Sequence, residues 1–381
     1  MRAERGGRSR AEWWRTPDTA TPPGNPLSPP QAAALPDFRP RARWATLGVL
    51  ALATVAVALI AAAWGSVRIP VETIARMVAL RLGLPGVGVA TWPASWETII
   101  FTIRLPRVIL AGLVGASLAL SGATYQGLFR NPLADPYLIG VASGAALGAT
   151  AATVLRLPLS FYRYGATQWC AFAGALIAVA FVYGLARVGG TTPLTALLLS
   201  GVAVSALASA ATSFLMYWHG DKLLTVYAWL LGGFTTASWS QTFQIAPYLL
   251  IGVLVMVPAA RLLDALQIGE EGAATLGIDV ERLKIILVVV ATFVTAAAVS
   301  VSGLIGFVGL IVPHIIRLVW GAGHRMLLPA SLFAGAIFLI LADGLARTAL
   351  RTGEIPVGVL TALCGAPFFL FLLRRSKSRF S

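Results

Sequence analysis

The most informative property of this 381-residue sequence is its scarcity of charge. Only 12% of the residues are charged, whereas 57% are hydrophobic, and the mean hydropathy is +0.81. Soluble domains carry about 25% charged residues. A chain this poor in charge could not cover its surface in water, so the composition predicts an all-α membrane protein that crosses the bilayer several times.

Cysteine and lysine are also scarce, and each scarcity excludes a class of site. The two cysteines, Cys170 and Cys364, lie inside apolar runs, so no disulfide or metal framework is indicated. None of the three lysines lies in a Gly-x-x-x-x-Gly-Lys-Ser/Thr loop, the motif that holds nucleotide phosphates. The apolar runs also lack rows of carboxylates, which proton-driven carriers use as relays. The chain is therefore not expected to hydrolyse nucleotide itself, and as a transporter it would depend on a partner for energy.

The formal net charge of +14 is concentrated at the two ends of the chain. Residues 1–43 hold eight arginines and eight prolines with almost no apolar periodicity, which predicts a disordered tail. Residues 374–381 form a second basic tail. Basic residues that flank membrane spans mark the cytoplasmic side, so both termini are expected in the cytoplasm. Binding to nucleic acid is disfavoured because no aromatic residues interleave with the basic ones.

Charge-free runs of at least about 20 residues, the length that crosses a bilayer, predict ten membrane spans within residues 44–373. Two runs are too long for one helix and are expected to break. Leu223–Ala260 is expected to form a short helix at about 223–231, a turn at Gly232-Gly233 and one span at about 241–262, whereas Ile285–Ile316 is expected to form two spans separated at Ser302-Gly303. The other predicted spans are Trp44–Val67, Val108–Phe129, Pro136–Leu155, Tyr164–Ala186, Val188–Trp218, Met326–Ala342 and Ile355–Leu373. Small residues recur on single helix faces at Gly112 and Gly115 and at Gly140, Gly144 and Gly148, which predicts close helix packing.

A few charged residues lie at or inside the predicted spans, where an ionisable group is costly and is a first candidate for function. Arg104 and Arg107 share one helical face and have no acidic residue within a turn. They are expected to interact with a partner outside the chain or with lipid headgroups. Asp343 and Arg347 are four residues apart in the ninth span, which predicts an ion pair along one helix face.

The polar stretch Gln267–Lys284, within the loop 263–284, is longer than a simple connection between two spans requires. It carries acidic and basic residues in a helix-compatible order. Such a surface suits the docking of another protein, and a merely solvated loop is the alternative from the residues alone.

Four stretches together resemble the permease subunits of the type II ABC importers for iron chelates, haem and cobalamin. They are RLPRVILAGLVGASLALSGATYQGLFRNPLADPYLIGVASGAALGA at 104–149, GEEGAATLGIDVERLK at 269–284, GLIGFVGLIVPHIIRLVWGAGHRMLLP at 303–329 and ADGLARTALRTGEIPVGVLTALCGAPFF at 342–369. The resemblance runs from residue 44 to the C-terminus, and residues 1–43 have no counterpart in it.

The resemblance implies a homodimer with ten helices per subunit and one translocation path at the two-fold axis. Two ATPase subunits, which bind ATP-Mg, would dock on the loop 263–284, and a periplasmic binding protein would dock on the opposite face. The chain itself would bind no cofactor and no metal. The family's docking arginines correspond to Arg104, Arg107 and Arg347. ATPase coupling is expected at Gly269, Glu270, Leu276, Gly277 and Asp279. The gate and path are expected at Asn131, Leu133, Gly201 and Ser205.

The resemblance also implies a protein of the bacterial cytoplasmic (inner) membrane whose cargo is haem, a ferric siderophore or cobalamin, with haem favoured. His314 lies in the family's PHxxR stretch and is expected to be structural. His324 is expected to face the cytoplasm beside Arg325, and His219 is placed to meet an iron porphyrin. Two alternatives from other classes are a secondary carrier driven by an ion gradient and a membrane scaffold without a conducting path.

Overall fold

The computed structural model describes residues 40–377, except residue 66 and residues 85–90, 158–164, 188, 190–191 and 351–352. Every regular element in these residues is a helix, as predicted. Most of the predicted disordered tail, residues 1–39, lies outside the described residues, and so does the end of the basic C-terminal tail, residues 378–381.

Seven numbered helices make up the first half of the chain. They are α1 Pro40–Ala63, α2 Val71–Arg81, α3 Ala94–Thr98, α4 Leu105–Leu128, α5 Val141–Val154, α6 Ala166–Ala186 and α7 Leu194–Trp218. A π-helical turn, Ile99–Arg104, joins α3 to α4, and the 3-10 turns Pro136–Ile139 and Gly220–Lys222 precede α5 and α8. The second half contains α8 Leu223–Leu230, α9 Trp239–Met256, α10 Ala260–Leu266, α11 Glu270–Thr275, α12 Val280–Ser302, α13 Val308–Trp320, α14 His324–Thr348 and α15 Val357–Lys377.

In the described part of the chain, seven helices are long and apolar enough to cross a membrane, and three shorter apolar helices accompany them. The three shorter segments are Val141–Val154, Val308–Trp320 and Val357–Phe371. These ten segments lie where the charge-free runs predict spans. The bounds differ at both ends of the chain, because α1 begins at Pro40 and α15 continues to Lys377. The parts of the two predicted tails that adjoin the spans are therefore helical.

The predicted break after Ser302 is confirmed, and Gly303 explains it. The backbone of Gly303 has a φ of 68°, a left-handed conformation that other residues adopt at a cost. A side chain at Gly303 would also overlap the carbonyl oxygen of Trp229. The start of the segment that follows Gly303 packs against the C-terminal end of α8, where the Leu304 carbonyl lies against Gly232, and α13 then starts at Val308.

Helix α4 is the centre of the bundle and is buried along almost its whole length. It packs against α9, α12, α13 and α14. Gly115 of α4 lies against Gly335 of α14, and Gly122 of α4 lies against Gly309 of α13. The helices are so close at both points that a side chain on either α4 glycine would overlap the facing backbone. The predicted role of small residues in helix packing is confirmed here. In lipid such close approach supplies the van der Waals contact that holds helices together.

The glycine series of α5 is confirmed in part. Gly144 and Gly148 pack against Gly174 and the Cys170 carbonyl of α6. Gly140, predicted to share their helix face, instead precedes α5 with a φ of 89°. It ends the 3-10 turn, where a left-handed backbone is needed to redirect the chain.

Helices α4 and α14 are antiparallel neighbours and define two ends of the bundle. The arginine end is the end where Arg107 of α4 contacts Asp343 of α14. The loop end is the opposite end, where Gln267 donates to the carbonyl of Gly127, near the C-terminus of α4, and Asp264 contacts His324, the first residue of α14.

Candidate functional site

The arginine end contains a buried cluster of ion pairs around Arg107. The Nε and Nη2 atoms of Arg107 donate to the Asp343 carboxylate at 3.0 and 2.8 Å. The Nη1 and Nη2 atoms donate to Glu354 at 3.1 and 2.8 Å. Arg107 therefore binds one carboxylate along each of two edges. Glu354 accepts one bond on each of its oxygens, the bidentate geometry that makes arginine–carboxylate pairs strong. At Asp343, by contrast, the Nε and Nη2 bonds converge on the single oxygen Oδ1.

The expectation that Arg104 and Arg107 lack partners in their own chain is wrong. Arg107 pairs with residues that are 236 and 247 positions away. Arg104 is 5% exposed and donates to the backbone carbonyls of Ala62 and Val67 at 3.0 and 2.7 Å. These carbonyls lie at the C-terminal end of α1 and just beyond it, where a helix has unsatisfied acceptors and a partial negative charge.

The predicted ion pair between Asp343 and Arg347 is confirmed. The Nε atom of Arg347 lies 3.1 Å from Oδ2 of Asp343. Asp343, 1% exposed, thus lies between Arg107 and Arg347 and pairs with both, while Glu354 supplies the second negative charge of the cluster. The structure brings all three predicted docking arginines to one end of the bundle and shows that each has an internal partner.

At the loop end, α10 is tied to the ends of two long helices. Oδ1 of Asp264 accepts hydrogen bonds from the backbone N–H and the Nδ1 atom of His324, both at 2.8 Å. Burial acts to raise the pKa of Asp264, but the bonds from His324 and the charge of Arg325 outweigh it and lower that pKa. Gln267 donates to the Gly127 carbonyl at 2.9 Å. A movement of α10 would therefore pull on α4 and α14 together.

The expectation that His324 faces the cytoplasm is wrong. Its side chain is 4% exposed and lies between Asp264 and Gly127. The neighbouring Arg325 is exposed and contacts Asp264 at 3.8 Å. His314, expected to be structural, packs edge-on against Phe368 with ring centroids 6.1 Å apart.

The predicted coupling residues form a projecting helix and turn. Gly269 precedes α11 with a φ of 122°, and Gly277 follows it with a φ of 81°, so both positions favour glycine. Leu276 is 64% exposed beside this turn. Asp279 accepts from the N–H of Arg282 and caps α12, and Glu270 pairs with Lys284 at 2.7 Å. The exposed leucine between two fixed turns is a surface suited to a protein partner.

The predicted gate residues lie in the loop between α4 and α5. Oδ1 of Asn131 accepts from the N–H of Leu133 at 2.9 Å, which fixes the turn, and Leu133 is exposed. Asp135 accepts from the N–H of Tyr137, and the Tyr137 hydroxyl donates to the carbonyl of Ile305 at 3.0 Å. Burial raises the pKa of the Asp135 carboxyl to about 6. Tyr137 thus ties this loop to the segment between α12 and α13.

An open cavity of 450 Å³ lies beside α5 and α7. Ser143 of α5 and Ser205 of α7 both line it and are joined by a hydrogen bond of 3.1 Å. The other residues of its wall are Tyr137, Ala142, Ala146, Ser209, Thr212, Ser213, Met216, Leu230 and Leu304. No residue of this wall carries a formal charge at neutral pH. Gly201, also predicted for the path, lies instead where α7 packs against the Leu138 carbonyl.

Sequence reasoning missed three residues that the structure makes prominent, namely Glu354, Asp264 and Tyr137. Glu354 and Asp264 act on partners far away in sequence, and no local pattern indicates them. Tyr137 follows the RNPLADP stretch, and its aromatic ring beside that polar loop is the one signal available in the sequence.

Comparison with known proteins decides the class of the molecule. The model of the FecCD transport family matches residues 50–375. The chain belongs to this family. Among curated relatives, it is 49% identical to the cobalamin import system permease protein BtuC of Halobacterium salinarum, over 81% of this chain and 80% of that protein. It is 43% identical to the hemin transport system permease protein HmuU of Yersinia pestis, over 76% of this chain and 87% of that protein.

Among solved structures, the chain resembles a metal-chelate type ABC transporter in an inward-facing conformation, with a TM-score of 0.75 and 32% identity. The match covers 87% of this chain and 99% of that one. The resemblance to importer permeases that the sequence motifs indicate is confirmed. This FecCD-family chain is a membrane permease subunit and a component of transport rather than an enzyme.

Proposed function

We propose that this chain is the conducting subunit of an ATP-driven importer that carries haem or a similar bulky chelate from the periplasm to the cytoplasm. Two copies enclose one path, the arginine end faces the periplasm and the loop end faces the cytoplasm. A binding protein delivers the cargo at the arginine end, and two ATPase subunits bind at the loop end. Both termini are then cytoplasmic.

The observation that carries this proposal is the open, hydroxyl-rich cavity between α5 and α7. In a bilayer, polar side chains on an outward face are costly unless they line a water-filled space or meet a partner. Ser205, Ser209 and Ser213 follow one another at intervals of four on α7, so they form a stripe along one helix face. A second copy that presents the same stripe would close the cavity into a polar conduit.

The contacts at the loop end support coupling to an ATPase. The exposed α11 and Leu276 provide the surface to which a motor subunit can bind. Asp264 and Gln267, just before α11, hold the ends of α14 and α4. Movement of an attached ATPase therefore reaches α4 and α14, and through the loop that follows α4, with Asn131 and Leu133, it reaches α5 beside the path. That loop alternates its exposure at the loop end.

The identity of the cargo has two candidates. Haem is the first, because of the motif resemblance and the 43% identity to the hemin permease. Cobalamin is the second, and two observations favour it: the 49% identity to the cobalamin permease and the uncharged, hydroxyl-rich cavity wall. Such a wall suits a cargo that presents many amide groups, whereas the two propionates of haem would find no cationic side chain among the residues lining this cavity.

Transport and hydrolysis measured together test the proposal. The permease, its ATPase and its binding protein are reconstituted in vesicles, and uptake of haem and of cobalamin is measured per ATP hydrolysed. Gly277→Ala forces a side chain into a left-handed turn, which costs about 1–2 kcal/mol, and should lower uptake per ATP several-fold. Gly272→Ala, inside α11, is the matched control: its Cβ would lie 3.1 Å from Cγ2 of Ile268, a side chain that is 74% exposed and can move aside.

Uptake of either cargo that requires ATP supports the proposal and selects the cargo. If neither cargo is taken up, or if Gly277→Ala and Gly272→Ala couple equally well, the assignment of cargo or of the coupling turn is wrong.

A further inference from the structure

The three arginines at the arginine end differ in how firmly their internal partners hold them. Arg104 donates to backbone carbonyls, one at the end of α1 and one just beyond it, and neither can rotate away as a side chain can. Arg347 pairs with Asp343 of its own helix, and that carboxylate is 1% exposed. Removing either partner would leave a buried guanidinium without compensation, which costs several kcal/mol. Neither arginine is free to accept a new carboxylate.

Arg107 differs because one of its two partners is exposed. The Nε–Nη2 edge faces the buried Asp343, whereas the Nη1–Nη2 edge faces Glu354, whose side chain is 39% exposed. Arg107 and Glu354 both line a cavity of 470 Å³ at this end, so the edge can be reached from outside the bundle. Arg107 itself is buried, so water reaches this pair only from the Glu354 side. That partial exposure screens the pair and makes it easier to break than the fully buried pair with Asp343.

The backbone beside Glu354 is held independently of its side chain. The N–H of Ile355 donates to the carbonyl of Ala346 at 3.0 Å, and Val357 at the start of α15 is buried. Rotation about the side-chain bonds of Glu354 is therefore enough to release the Nη1–Nη2 edge of Arg107. No movement of a helix is required.

We propose that Glu354 occupies the position on Arg107 that a carboxylate of the binding protein takes when that protein docks. Docking is then an exchange of one carboxylate for another at the Nη1–Nη2 edge, while Asp343 stays in place. This inference depends on the proposed function, and it commits to a partner with an acidic surface. Glu354 acts as an internal competitor that lowers the affinity for this partner.

The exchange predicts that replacing Glu354 raises the affinity for the binding protein. Most substitutions on a docking face would lower it. A partly exposed ion pair contributes on the order of 0.2–1 kcal/mol, which corresponds to an affinity about 1.4- to fivefold higher for Glu354→Gln. Glu354→Asp, which keeps the charge but has a shorter reach, should give a smaller increase. Glu72→Gln on α2 removes an equal charge at the same end, away from the cluster, and should change affinity less than Glu354→Gln.

The experiment uses the full chain assembled with its ATPase in lipid nanodiscs. The purified binding protein of the same importer is immobilised, and dissociation constants are measured for the wild type and the three variants at one salt concentration. Tighter binding of Glu354→Gln, with Glu354→Asp intermediate and Glu72→Gln nearer the wild type, supports the exchange.

The outcomes separate this inference from the function on which it depends. If the wild type binds but Glu354→Gln and Glu354→Asp bind equally or more weakly, Glu354 is a structural or direct docking residue and the exchange is refuted. If Glu72→Gln tightens binding as much as Glu354→Gln, net charge accounts for the effect and the exchange is again refuted. If the wild type does not bind at all, the docking face itself is wrong and the proposed function fails with it.

Discussion

Replacing Gly115 with alanine should push helices α4 and α14 apart. A Cβ atom at this position would overlap the carbonyl oxygen of Gly335 and lie 2.7 Å from the Cβ of Leu339. Non-bonded carbon atoms in contact are about 3.5–4.0 Å apart. Both obstacles are fixed to the backbone of α14, so the helices have to separate locally by about 1 Å to restore normal contact.

The cost follows from the packing that this separation removes. Overfilling a well-packed contact destabilises proteins by about 1–3 kcal/mol. Alanine is the better helix former by up to ~1 kcal/mol, which offsets part of that loss. The expected net effect of Gly115→Ala is therefore a destabilisation of about 1–2 kcal/mol.

Two other glycine-to-alanine variants of the same helix pair provide matched controls. At Gly112 the new Cβ would meet only the end of the Ile340 side chain, at 3.2 Å, and at Gly344 it would meet nothing within 4 Å. Thermal unfolding in detergent should rank Gly344→Ala at or above the wild type, Gly112→Ala near it and Gly115→Ala below both. If Gly115→Ala unfolds at the same temperature as Gly344→Ala, the close approach of α4 and α14 is refuted.

Three further predictions concern the charged residues. Asp343→Asn should lower the thermal midpoint far more than Glu354→Gln, because removing a buried partner costs about 3–5 kcal/mol; equal midpoints would contradict the buried cluster. Asp264→Asn should lower uptake per ATP hydrolysed without loss of ATPase binding, because an amide oxygen accepts the hydrogen bonds from His324 more weakly than a carboxylate oxygen does; unchanged coupling in vesicles would contradict that role. Burial raises the pKa of Asp135 to about 6, above the ~4 of an unfolded aspartate, so stability should fall as pH rises from about 4 to about 6. Asp135→Asn should flatten this slope in a pH series of thermal unfolding, and an unaltered slope would assign it to another group.

Local sequence signals were sufficient for the fold. The break at Ser302-Gly303 was predictable because a charge-free run too long for one span contains a glycine that can adopt a positive φ. The Asp343–Arg347 pair was predictable because a spacing of four residues places both side chains on one helix face. The composition was sufficient to predict a membrane protein, because a chain with so few charged residues cannot cover its surface in water.

The contacts that build the candidate site were not predictable in the same way. Arg107 and Glu354 are 247 residues apart, and only the antiparallel packing of α4 and α14 brings them together. His324 was misplaced because a position at the end of a span does not reveal whether the side chain points to solvent or back into the bundle. The Asp264 carboxylate that buries it lies 60 residues earlier in the chain.

The central claim is that this chain conducts cargo and takes the energy for transport from an attached motor. The most direct test reconstitutes the purified chain in vesicles, alone and with its ATPase and binding protein, and measures accumulation of labelled haem or cobalamin. Uphill accumulation should occur only in the complete assembly and only with ATP, and a proton or sodium gradient should not replace it. Accumulation driven by an ion gradient in vesicles that contain this chain alone would contradict the claim.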